Sequence, residues 1–209
     1  MNFRPKRSYE KQLFNTSLQN LVNTLAHDVD KKIELITEEF DAGLIPYRYR
    51  LLTRQILIQL IRNSVYHGIE TADERELSGK DPVGSIEIIS VRSENAISFR
   101  LIDDGRGLQL DKLREKALKS RRWTEAEIKG WDDQQIAQTI FASGISTLDS
   151  ANLIAGRGIG LDVVKEKVNE AGGEISVNFE IGKFCEFTVR VPVKEELQIE
   201  NPVEDTLTV

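Results

Sequence analysis

IRNSVYHG, residues 61–68, is the stretch from which the fold of this chain is read. It closes a periodic run over 49–67, in which Leu52, Ile56, Leu60 and Ile61 recur at helical spacing and predict a central helix. Gln59, Asn63 and His67 stand four residues apart. Four residues advance a helix by about 400°, so the three share one face. Such a face is either a solvated polar stripe or one wall of a site. Asn63 offers an amide oxygen, a hard ligand suited to Mg²⁺ among phosphate oxygens and waters, and His67 offers a ring nitrogen that can hydrogen-bond a phosphate or serve the structure alone.

Outward from this helix the pattern alternates between periods. Leu18, Leu21, Val22 and Leu25 predict an earlier amphipathic helix, and IELITEEF (33–40) reads as a half-buried strand. A turn at Gly43 and Pro46 leads into the central helix. SIEIIS (85–90) and AISFRLIDD (96–104) read as two strands around Glu94 and Asn95. The region 109–141 is helical in mixed fashion. A further helix over 161–171 is closed by Gly172 and Gly173. EISVNFE (174–180) and EFTVRVPV (186–193) read as a final strand pair. These elements predict an α/β two-layer sandwich, with helices on one face of a mixed sheet and one core. Residues 1–15 read as a linker, 16–195 as the domain and 196–209 as an acidic tail.

Composition narrows the function. The chain has 209 residues, 40% hydrophobic and 30% charged, as expected of a globular domain. A net charge of −6 does not favour nonspecific nucleic-acid binding. No apolar run is long enough to span a membrane and no signal peptide precedes Arg4, Lys6 and Arg7, so no direct membrane contact is expected. Cys185 is the only cysteine, which excludes an internal disulfide and suits a reducing, cytoplasmic setting.

Three more segments carry chemistry. In DDGRG (103–107), Asp103 ends a strand, where its carboxylate can accept a hydrogen bond from an exocyclic amine such as that of adenine. Gly105 and Gly107 let the backbone turn and approach a flat ring, although Asp and Gly also make ordinary turns. In GRGIGLD (156–162), Gly156, Gly158 and Gly160 precede a helix whose free N–H groups suit phosphates. The spacing matches neither the dinucleotide fingerprint nor the P-loop, and no P-loop occurs in the chain. Between these lies 108–147, long, charged and edged by Gly107 and Gly144, ending in FASGIST (141–147). A segment of this kind closes over a ligand as a lid. Lys112, Ser146 and Thr147 fall within reach of phosphates, while the spacing of Lys112 alone favours a solvated helix lysine.

In this order the four segments resemble the N, first G, F and second G boxes of the histidine-kinase-type ATP-binding domain, and within it the catalytic domain of CheA-type chemotaxis kinases. LIRNSVYHGIETADERELSGK, LIDDGRGLQLDKLREKAL and IFASGISTLDSANLIAGRGIGLDVVKEKVNEAGG carry the resemblance, which extends over about 18–194. It implies the Bergerat (GHKL) sandwich, Mg·ATP as ligand, and γ-phosphoryl transfer to a histidine on another domain or protein, in cis or in trans, with a response regulator downstream. By resemblance, Asn63 holds Mg²⁺ and acts in catalysis with Gln59 and His67, and Asp103 reads adenine. Arg62, His67 and Lys112 lie near the phosphates. Gly156, Arg157, Gly158, Ile159, Gly160 and Leu161 wrap phosphates and ribose under the lid, with Gly105, Gly107, Ser146 and Thr147 completing the nucleotide contacts.

The chain departs from that pattern in two places. Four residues before Asn63 the chemotaxis kinases usually carry His, and gyrase-type ATPases a water-activating Glu; here it is Gln59. An amide does not titrate near neutral pH and cannot be a general base, which argues against a gyrase-like hydrolase. It is less damaging to transfer onto an imidazole, already a nucleophile. The family's G-K-G-T reads Gly182, Lys183, Phe184, Cys185, which implies weaker binding or a reshaped pocket. The alternative these departures motivate is a nucleotide-binding regulatory module without transferase activity. The two histidines, His27 and His67, do not sit on a separate phosphoacceptor unit, so the acceptor is expected elsewhere.

Overall fold

The computed structural model describes residues 5–145 and 160–193, with side chains from residue 12 onward. Five strands form one sheet: β1 (Ile33–Ile36), β2 (Gly84–Arg92), β3 (Ala96–Asp103), β4 (Glu174–Glu180) and β5 (Phe184–Pro192), in the order β1-β2-β3-β5-β4. β1 pairs parallel to β2 and the other pairs are antiparallel, so the sheet is mixed.

Period-two alternation decides which face is covered. Ile86 and Ile88 of β2, Ile97, Phe99 and Leu101 of β3, and Phe187, Val189 and Val191 of β5 are buried together. The opposite face is more open and carries the Arg100–Glu186 ion pair across β3 and β5 at 3.5 Å. Helices cover the apolar face. α1 (Pro5–Asp28) contributes Leu18, Val22 and Leu25, and α2 (Tyr47–Asn63) contributes Ile56, Leu57, Leu60 and Ile61. The short α3 (Ala72–Leu77) precedes β2. α4 (Leu110–Ser120), α5 (Glu125–Lys129) and α6 (Asp133–Gln138) follow β3 and share the core through Leu113, Ile128 and Ile136. Trp123 and Trp131 meet edge to face across α5, ring centroids 5.2 Å apart. α7 (Leu161–Glu170) brings Val164 and Val168, and ends as expected: Gly172 has φ +72, and the Gly173 N–H donates to the Val168 carbonyl at 2.9 Å.

Three expectations shift. α1 begins at Pro5, well before Leu18, because the helix formers Glu10, Lys11, Gln12 and Leu13 extend it beyond its apolar stripe. β1 stops at Ile36, since a turn closed by the Phe40 N–H and Thr37 carbonyl (3.1 Å) carries Phe40 into the core. The central α-helix stops at Asn63, and Ser64–Gly68 winds as one π turn, with the Ile69 N–H reaching the Ser64 carbonyl at 2.8 Å. Within that wider turn the Val65 carbonyl accepts from Lys31 Nζ at 2.7 Å.

Candidate functional site

The alternation that buries Ile97, Phe99 and Leu101 continues one step to Asp103, putting a carboxylate on the core face at the end of β3. Its side chain is 1% exposed. Ser64 Oγ donates to Oδ2 at 2.6 Å and the Gly105 N–H to Oδ1 at 3.2 Å. Burial pushes its pKa up from 3.8 to about 6; the two hydrogen bonds oppose the rise, and the neighbouring Asp104 and Glu70 carboxylates add to it. This acid is ionised at neutral pH and retains acceptor capacity for a donor in the cleft beside it.

That cleft lies where the end of α2, the π turn, β3, the following loop and α4 meet. Asn63, His67, Asp103, Gly107 and Lys112 all line it, so five of the residues singled out in the sequence come together. The enclosed part is ≈ 80 Å³. It shares Leu108, Gln109 and Lys112 with an open groove of ≈ 930 Å³ rimmed by Leu77 and Ile181. The slot thus opens into a wider groove lined by acids and bases together, Glu70, Glu74, Asp111 and Asp133 with Arg106, Lys112 and Arg114.

Glycines make the inner slot possible. A Cβ on Gly68 would stand 2.8 Å from Asp103 Oδ1, and one on Gly105 would overlap the Gly68 backbone. The π turn and the Asp103 loop therefore touch backbone to backbone, and the Arg106 N–H donates to the Gly68 carbonyl at 2.9 Å.

The remaining site residues fall into three groups. Gln59 and Arg62 lie half-buried on α2 and line neither cavity, so the shared helical face brings Asn63 and His67 to the cleft without Gln59. Gly160 is the N-cap of α7 and Leu161 its buried first residue. Ser146, Thr147, Gly156, Arg157, Gly158 and Ile159 lie outside the described residues.

Sequence reasoning missed several contributors. Lys116 lines the cleft one helical turn beyond Lys112, a spacing of four that could have revealed it. Ser64 offered no signal, because its role depends on meeting a residue 39 positions away. Cys185, by contrast, was singled out with Phe184 as a change in the pocket, and it sits opposite Asp103 in the strand register and lines the slot, with Phe184 beside it at the start of β5. Burial, with Asp103 and Glu186 nearby, pushes the Cys185 thiol well above its ordinary range, so it is a small buried wall and not a nucleophile. Arg75 and Lys80 were also unforeseen; they form a charge cluster with Glu70 and Asp104 directly behind the Asp103 turn.

Two amides line the cleft, Asn63 and Gln109, and neither alone makes a metal site. Among the described residues no group of three or more His, Cys, Asp or Glu side chains could hold a metal ion. The Asn63 amide oxygen is a hard donor of the kind that suits Mg²⁺ when phosphate oxygens and water supply the other ligands.

Comparison with known proteins gives a consistent result. The profile of the family described as "Histidine kinase-, DNA gyrase B-, and HSP90-like ATPase" matches residues 49–195. The chemotaxis protein CheA of Bacillus subtilis is 38% identical over 176 residues, 83% of this chain and 26% of that protein. CheA of Listeria innocua is 35% identical over 176 residues, 83% of this chain and 28% of that protein. The sensor histidine kinase CheAY of Helicobacter pylori is 31% identical over 185 residues, 87% of this chain and 22% of that protein. The chain spans about a quarter of the length of these curated relatives.

Proposed function

The chain belongs to the histidine kinase-, DNA gyrase B- and HSP90-like ATPase family, and from that premise we propose that it is the ATP-binding catalytic domain of a CheA-like histidine kinase. It binds Mg·ATP in the Asn63–Asp103 cleft and donates the γ-phosphoryl group to a histidine on another domain or protein. The observation that carries this reading is the convergence of Asn63, His67, Asp103, Gly107 and Lys112 on one cleft. The relatives' names, two of them chemotaxis protein CheA and one sensor histidine kinase CheAY, support it over the regulatory alternative.

In this reading Asp103 accepts a hydrogen bond from adenine's exocyclic amine in the inner slot. Gly105 and Gly107 let the backbone stand close to the ring, and the phosphates run toward Asn63, His67 and Lys112, with Arg62 nearby. The bound Mg²⁺ would neutralise charge on the phosphate oxygens. Asn63 would hold that Mg²⁺ through its amide oxygen, and Gln59, one turn before it on α2, cannot take a proton. An imidazole nitrogen of the acceptor attacks the γ-phosphorus with its lone pair. The bond from the γ-phosphorus to the β-bridging oxygen breaks, ADP leaves, and the proton on the other ring nitrogen passes to solvent. Ser146, Thr147, Gly156, Arg157, Gly158, Ile159, Gly160 and Leu161 are proposed as the closing contacts to phosphate and ribose.

The catalytic unit proposed is 16–195, continued toward the N-terminus by α1, with 196–209 as a tail. A response regulator would act downstream. No helix of the described residues is long and apolar enough to cross a membrane, and a cytoplasmic location is proposed with the rest.

Calorimetry of Mg·ADP binding to wild type and Asn63→Ala tests the binding half. Loss of the Mg²⁺-dependent part of the affinity is expected, and equal affinities count against the assignment of Asn63. Incubation with γ-labelled ATP and the histidine phosphoacceptor domain of a CheA relative tests the transfer half. Labelled acceptor supports it, and tight nucleotide binding without transfer returns the regulatory reading.

A further inference from the structure

Behind the corner that faces the slot lies a charge quartet, buried at Arg75 and Glu70 and partly exposed at Lys80 and Asp104, to which the assignments above give no role. Arg75 is 1% exposed. Its guanidinium forks onto the Asp104 carboxylate, Nη1 to Oδ1 at 3.1 Å and Nη2 to Oδ2 at 2.8 Å. Nη1 also reaches Glu70 Oε2 and the Asp104 carbonyl, each at 3.3 Å, and Nε donates to the Asp81 carbonyl at 2.5 Å. Lys80 directs its donors to Glu70 Oε1 at 3.0 Å, the Asp104 carbonyl at 2.9 Å and the Gly105 carbonyl at 2.8 Å. Two cations and two carboxylates therefore neutralise one another, and what they grip is main chain. The carbonyls of Asp104 and Gly105 are both held, and the N–H of that same Gly105 donates to Asp103 Oδ1.

A buried ion cluster is poor evidence for stability, because apolar residues of similar volume often pack as well or better. What it supplies is direction. Asp103 is held by the Ser64 hydroxyl on one side and by the Gly105 turn on the other, and the second of these is only as fixed as the two clamped carbonyls. Glu70 lies just past the π turn that bears Gly68, so the same quartet joins both walls that close on Asp103.

We propose that Arg75 and Lys80 are positioning residues for base recognition. They fix the 104–105 turn so that the Asp103 carboxylate meets the slot in one orientation, and they thereby set the preference for a purine bearing an exocyclic amine over one bearing a carbonyl at the same place. A fixed carboxylate accepts from the amine and repels the carbonyl oxygen; a loosened one turns away from both. This inference rests on the adenine-nucleotide reading of the cleft.

The test uses the full chain, with Lys80→Met and Arg75→Lys as variants. Lys80 is partly exposed, with 18% of its side chain accessible, so its replacement leaves the deeper Arg75 pairs in place. Mg·ADP and Mg·IDP are titrated calorimetrically, well below each variant's measured unfolding midpoint. Amide exchange of Gly105 and Arg106 is followed beside that of Leu101 in β3. The expected result is a loss of about tenfold in ADP affinity with IDP affinity held within about twofold. The ratio between the two bases falls, and exchange quickens at Gly105 but not at Leu101. A merely structural role would lower the unfolding midpoint and leave the base ratio where it was. A folded Lys80→Met that retains the wild-type ADP-to-IDP ratio overturns the inference alone, and it decides the matter should Arg75→Lys not fold. Wild type that binds neither diphosphate overturns the cleft assignment and this inference with it.

Discussion

Behind Asp103 the chain is held by contacts between distant residues: Ser64 with Asp103, 39 positions apart, Arg75 with Asp104, 29 apart, and Lys80 with Gly105, 25 apart. Across the cleft the helices after β3 are finished by their own neighbours. Thr124 and Glu127 cap α5 reciprocally, as Asp132 and Gln135 cap α6, each pair three residues apart. Long-range bonds tie the recognition corner into one cooperative unit, in which a single change is felt by every member. Locally capped helices can loosen one at a time. The same cleft thus has a wall that must keep its shape and a cover made of separable pieces.

That contrast is most severely tested at Gly105. Gly105→Ala drives a Cβ into the Gly68 backbone, so a loss of about 3 kcal/mol in unfolding free energy and of nucleotide binding are expected together. A denaturation curve matching wild type would break the picture of a tight corner. Asp103→Asn keeps the shape and removes the charge. A weakening of Mg·ADP binding by about 2 kcal/mol is expected by calorimetry. Its stability carries a sign that can be worked out in advance. The fold raises this carboxyl from 3.8 to about 6, so the native state holds an extra proton between those values and wild-type stability declines as pH rises through that window. The variant has no such decline, and its unfolding free energy relative to wild type should climb over the same window and level off above it. For the same reason wild-type affinity for an adenine nucleotide should fall as pH drops below about 6.

Changes in the cover should be smaller and confined to it. Asp132→Ala removes the acceptor of the Gln135 N–H and should cost about 1 kcal/mol, visible as faster amide exchange in α6 with little change at Gly105. Arg121 ends α4 in the left-handed region at φ +56. Arg121→Gly relieves that strain and should gain up to about 1 kcal/mol in chemical unfolding, leaving nucleotide affinity unchanged.

The contrast also explains what could be read from the chain alone. Period-two runs such as Ile97, Phe99 and Leu101, and the helical stripe Ile56, Leu57, Leu60 and Ile61, announced the sheet and its cover, because burial writes a period into sequence. The meeting of Asn63 and Asp103 was legible because each sits at the end of a well-patterned element. The π turn was not, since nothing in SVYHG separates it from one more α turn. Gln59 shares the helical face of Asn63 but stands one turn earlier on α2 and lines neither cavity, a matter of depth that spacing does not carry. Arg75 and Lys80 were not singled out, because the Arg75–Asp104 ion pair, 29 positions apart, and the Lys80 hydrogen bond to the Gly105 carbonyl, 25 apart, leave no local trace.

The Trp123–Trp131 pair gives the protein a built-in optical gauge. These are the chain's only two tryptophans, and both stand on the cover, one on each side of α5. Tryptophan fluorescence, excited selectively, therefore reports on that cover without any attached label. A stopped-flow trace after mixing with nucleotide would time its movement, while the silent β-sheet beneath contributes no indole signal.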